Sequence, residues 1–77
     1  MELTLYTRPG CHLCDEMKVV IAELRQHRAF VLTEIDISTD DALERRYGHD
    51  IPVLLLNGDE VARHRVGAQD LTRMLGA

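Results

Sequence analysis

Tryptophan is absent from this sequence, lysine occurs once, at Lys18, and cysteine and proline occur twice each. No apolar run approaches the ~18 residues a membrane span needs. The longest, Ile51 to Leu56, has six residues and contains a proline. The start, Met1-Glu2-Leu3-Thr4, has neither the basic flank nor the small-residue cleavage site of a secretory signal. No basic cluster stands out either. The arginines are scattered and the net charge is −4, so nucleic acid is a poor partner. Arg45-Arg46 reads as solvated helix surface. These absences set the expectation of a soluble cytoplasmic protein with no nucleic-acid or membrane partner, and a monomer is the default expectation for its assembly.

Two cysteines are too few for a disulfide-dense scaffold. Cys11 and Cys14 enclose only His12 and Leu13, so bridging them constrains the unfolded chain little. A chain this small obtains only ~3–5 kcal/mol from one core and usually adds staples. A pair so badly placed for stability points to function instead. The 77 residues admit one domain, 1–77, and a hydrophobic content of 45% is too high for disorder.

Along the chain, Glu2 to Thr7 alternates polar and apolar residues, with Leu3 and Leu5 on one face, and reads as a strand. Arg8-Pro9-Gly10 breaks it. Leu13, Met17, Val20, Ile21 and Leu24 then recur at helical spacing, with Asp15 and Glu16 early and Arg25 and Arg28 late, as the helix dipole favours. This helix is expected from about Cys11 or His12 to His27. Phe30 to Ile37 is the second strand, with Val31, Ile35 and Ile37 on one face. Ser38 to Asp41 is a capping cluster for a short helix that packs Leu43 and Tyr47 inward and ends at Gly48 as C′ residue.

Ile51 to Leu56 reads as a strand buried on both faces. Asn57-Gly58 is a strong hairpin signal, and Asp59 to Arg65 returns as a charged edge strand. Gly67 to Leu75 is a last helix presenting Leu71, Met74 and Leu75. The order β-α-β-α-β-β-α implies one parallel crossover and one antiparallel hairpin. An α/β fold with a mixed four-stranded sheet flanked by three helices is the economical solution.

Cys11-His12-Leu13-Cys14 sits where the first strand hands over to the first helix. A helix N-terminus carries partial positive charge and unpaired N–H groups, which stabilise a thiolate. The thiolate is the attacking species in disulfide exchange. Cys11 is therefore the candidate nucleophile, and Cys14, one turn further in, the resolving thiol. A protonated His12 would favour the thiolate, and Asp15 and Glu16 oppose it. Read from the residues alone, the same pair is also half a zinc site. Its remaining ligands are not evident, since His27, His49 and His64 stand singly.

At this point the chain resembles the glutaredoxin branch of the thioredoxin superfamily, most closely its short bacterial members with an atypical active-site dipeptide. The resemblance rests on Leu3 to Cys14, on Asp50-Ile51-Pro52-Val53 and on Gly67-Ala68-Gln69-Asp70-Leu71. It implies a thioredoxin-like fold and a thiol-disulfide oxidoreductase with no bound cofactor. Glutathione or a disulfide-containing protein would be co-substrate or partner. Pro52 matches the family's cis-proline, which would leave the N–H and C=O of Ile51 to pair with a substrate backbone. Arg8 matches a basic residue that meets a glutathione carboxylate. Gly67, Gln69 and Asp70 match the start of the last helix, which holds the γ-glutamyl end. His12 and Leu13 replace the usual Pro-Tyr and line the substrate site. Val66-Gly67 stands for Gly-Gly, and Asp50 for a threonine. Two further classes stay open: an iron–sulfur module in which two chains each lend Cys11, and a non-catalytic interaction domain on the same scaffold.

Overall fold

Leu3, Leu5 and Thr7 are buried along β1 (Glu2–Thr7), while the alternate positions are more exposed. The computed structural model describes residues 1–76. After β1 come α1 (His12–Arg25), β2 (Val31–Asp36), a short 3-10 turn at Ile37–Thr39, α2 (Asp41–Tyr47), β3 (Val53–Leu56), β4 (Asp59–Arg63) and α3 (Ala68–Met74). The four strands lie in the order β2-β1-β3-β4. β1 and β2 are parallel, and β3 runs antiparallel to both β1 and β4. This is the mixed sheet with three helices that the sequence implies.

Alternation along the central strands sorts the core into two clusters, one per face of the sheet. Leu3 and Leu5 of β1 and Leu54 of β3 join Met17, Ile21 and Leu24 of α1 and Leu71 of α3. Val53 of β3 joins Cys14, Ile37, Tyr47 and Ile51 in the other cluster, with Tyr6 packed against it. Each fully buried leucine contributes about 1.5–3 kcal/mol of transfer free energy. The second cluster contains Cys14, so the hydrophobic core and the cysteine pair are packed together.

Several local expectations need correction. Val31 does not share a buried face with Ile37. It is 57% exposed, because β2 is an edge strand and Val31 pairs with exposed Glu2 at its open end. Leu32 packs on the core instead, and Ile37 is buried only after the chain has left the strand. Met74 is 40% exposed, since Leu71 and Leu75, four apart, form the inward stripe of α3. Gly48 does not adopt the left-handed C′ conformation. Its φ is −54°, and a side chain there would meet the Glu44 carbonyl oxygen. β3 begins at Val53 rather than Ile51, and only its first half is fully buried.

Turn and cap chemistry accounts for the connections. Asp40 accepts from the N–H groups of Ala42 and Leu43 and so starts α2. Asp36 accepts from both the backbone and the hydroxyl of Ser38, which holds its carboxyl below the ordinary value of 3.8. Asn57 and Gly58 take φ values of +49° and +91°, the left-handed pair a tight hairpin requires.

Candidate functional site

The tetrapeptide begins where Gly10, at φ +78°, turns the chain out of β1. Glycine is suited to that conformation because it has no Cβ to clash. Cys11 then takes the N-cap position of α1 in extended conformation. Its sulfur accepts a hydrogen bond from the Cys14 N–H at 3.1 Å, and its carbonyl accepts from the Asp15 N–H at 3.1 Å. A sulfur thus occupies the place that a serine or aspartate oxygen fills in ordinary helix caps. The two cysteines are bridged as a disulfide with Cα atoms 5.2 Å apart. Cys14 is 0% exposed, whereas Cys11 is half-buried. His12 points to solvent and Leu13 is half-buried.

The Ile51–Pro52 peptide bond is cis. Ile51 and Val53, which flank Pro52, pack in the cluster that contains Cys14, and Cys11 rests against the same cluster. The redox pair and the proline segment therefore meet across the sheet end. One expectation fails here. The Ile51 N–H is not available to a substrate, because it donates to the Tyr47 carbonyl at 3.1 Å, as does the Asp50 N–H at 2.8 Å. The end of α2 holds this segment through those two bonds. The Pro52 carbonyl accepts from the His64 N–H at 2.8 Å, which ties the segment to β4 as well.

Arg8 is engaged by α2. It forms an ion pair with Glu44 of α2 and donates to the Gly48 carbonyl at 3.4 Å. This strut links the loop ahead of Cys11 to the helix that positions Ile51. Asp50 is similarly engaged, lying 3.2 Å from Arg63 and 3.7 Å from His64. Arg63 is itself forked onto Glu60 through bonds of 2.7 and 2.8 Å, which lowers the Glu60 pKa and raises that of Arg63. Asp70 pairs with Arg73 one turn along α3. Gly67 is the N-cap of α3 and makes no side-chain cap.

Leu13 and Gly67 are brought together. They line a groove of roughly 270 Å³ together with Glu16, Met17, Val20, His64, Arg65 and Val66. Gln69 lies outside this groove, on the outer side of α3 beside Thr72 and Arg73. No motif marks His64 and Arg65 as site residues. The pattern puts them at the end of the edge strand Asp59 to Arg65, whereas β4 stops at Arg63 and both lie in the connection to α3. His64 has φ +67°, a conformation uncommon for a residue with a side chain.

Fold and site together define a thioredoxin-like domain with a Cys-x-x-Cys pair at a helix N-terminus. The chain belongs to the glutaredoxin-like domain (DUF836) family, whose model matches residues 2–76. It is 32% identical over 82 residues to an uncharacterised protein of Mycobacterium tuberculosis, an alignment covering 94% of this chain and 84% of that one. The X-ray structure of the structural-genomics target XcR50 from X. campestris is similar, with a TM-score of 0.78 and 38% identity over 95% of this chain and 93% of that one. The germline-specific thioredoxin Deadhead of Drosophila melanogaster shares the fold at a TM-score of 0.59 and 25% identity, over 96% of this chain and 76% of its own. Among the described residues, no helix is long and apolar enough to cross a membrane.

Proposed function

We propose that this domain is a thiol-disulfide oxidoreductase working by a dithiol mechanism, as a cytoplasmic monomer without a resident cofactor. The observation that carries the reading is the Cys14 N–H donating to the Cys11 sulfur at the start of a 14-residue helix, while Cys14 itself is fully buried. That donor and the helix dipole favour negative charge on Cys11 in the reduced protein.

The Cys11 thiolate attacks one sulfur of the substrate disulfide. A bond forms between Cys11 and that sulfur, and the other substrate sulfur leaves as a thiolate and takes up a proton. Cys14 then loses its proton and attacks the Cys11 sulfur. This restores the Cys11–Cys14 disulfide and releases the second substrate thiol. Two electrons pass from the dithiol to the substrate. Glutathione or a protein dithiol returns the domain to the reduced form.

The test is reduction of a small mixed disulfide by the wild type and by Cys11→Ser. The wild type is expected to turn over and the variant to be inactive. No turnover by the wild type under several reductants removes the enzyme reading. Equal activity of the two proteins removes the assignment of Cys11.

A further inference from the structure

The segment that joins β4 to α3 is built around an unusual turn. The Arg65 N–H donates to the Arg63 carbonyl at 2.8 Å, closing a three-residue turn with His64 at its centre and φ +67°. Turns of this hand are rare and strained, and the strain persists only where surrounding contacts enforce it. Here two contacts do so. The His64 N–H is held by the Pro52 carbonyl, and its imidazole lies 3.7 Å from Asp50. The result is that Arg65 leaves the strand and borders the groove that starts at Leu13, between the cysteines.

The lining is mixed: Leu13, Met17, Val20 and Val66 are apolar, while Glu16 and Arg65 carry opposite charges. Arg65 is exposed and makes no ion pair among the described residues, whereas neighbouring Arg63 is saturated by Glu60 and Asp50. Asp70 and Arg8 do not line this groove and are paired with Arg73 and Glu44. The apolar part of the lining calls for an apolar side chain beside the reacting cysteine.

We infer that Arg65 is a specificity residue that selects polypeptide disulfides in which the reacting cysteine is flanked by an apolar residue and an acidic one. The inference rests on the thiol-disulfide reading above and names the substrate class of that same site. The apolar residue covers Leu13 and Val66, the acidic residue meets Arg65, and Glu16 disfavours the reverse placement by like-charge repulsion.

The experiment compares kcat/KM for two peptide mixed disulfides that differ only in one glutamate or lysine, with the glutathione mixed disulfide and a small neutral disulfide alongside. For the wild type, the glutamate peptide is expected to be preferred over the lysine peptide by about twofold to fivefold through KM, the upper range of an exposed ion pair. Arg65→Glu is expected to invert that ratio, and Arg65→Lys to retain its direction. A ratio near one in the wild type, or a ratio unchanged in Arg65→Glu, overturns the role of Arg65. A glutathione mixed disulfide preferred over both peptides overturns the polypeptide assignment. Absence of turnover on all four substrates, the neutral one included, overturns the oxidoreductase reading itself.

Discussion

A pulse of iodoacetamide on the reduced, folded protein should label Cys11 far faster than Cys14. Cys11 is half-buried at the helix N-terminus, whereas Cys14 is 0% exposed within a cluster of Ile37, Tyr47, Ile51 and Val53. Alkylation of Cys14 therefore waits for the domain to open. A stability of about 3–5 kcal/mol, usual for one core of this size, keeps the open fraction between roughly one in a hundred and one in a few thousand. The labelling rates should differ by a similar factor. Peptide mapping by mass spectrometry after short pulses measures the ratio. In denaturing urea it should collapse to about one, because both thiols are then exposed. Equal labelling in the native state, or faster labelling of Cys14, would refute the division into an accessible nucleophile and a buried resolving thiol.

Other consequences follow from packing and capping. Asp40→Ala removes the side-chain acceptor for two N–H groups at the start of α2. The expected cost is about 1 kcal/mol, which lowers Tm by about 4–8 °C in calorimetry. Leu54→Ala empties a fully buried position on β3 and should cost about 2–5 kcal/mol, close to unfolding the domain, whereas Leu54→Met should cost less than about 1.5. Urea titrations of the two variants measure the difference. Ser38→Ala removes the hydroxyl that donates to Asp36, so the Asp36 carboxyl should titrate nearer 3.8 in an NMR pH series. Because that pKa is depressed in the folded state, its contribution is present above the unfolded value and lost as pH falls through the folded one. The stability gap between wild type and Ser38→Ala should therefore close on acidification below the ordinary carboxylate range.

Much of the molecule is legible in local pattern. Alternation around Leu3 and Leu5 marks β1, and helical spacing from Met17 to Leu24 marks α1. Asn57-Gly58 marks the hairpin, and the cysteines fall at the strand-to-helix junction. The failures share a cause. Val31 was expected inside because its strand alternates, but alternation does not reveal that β2 ends the sheet. Ile51 was expected to offer its N–H to a substrate, yet that group bonds to Tyr47 at the end of α2. Arg8 is just ahead of Cys11 in sequence, but Glu44 draws its guanidinium toward α2.

What the sequence determined by itself is the set of elements and the chemistry at the head of α1. Periodicity, caps and the Cys-x-x-Cys spacing depend on neighbours a turn or two apart. What only the tertiary structure decided is which groups face that chemistry. Ile51 and Val53 pack with Cys14 in one cluster on either side of Pro52, and α2 takes up the Ile51 N–H and the Arg8 guanidinium. Arg65 reaches the groove because Pro52 and Asp50 hold His64 in a left-handed turn. Those contacts join residues distant in the chain, and their energies depend on the assembled core rather than on any segment's own preference.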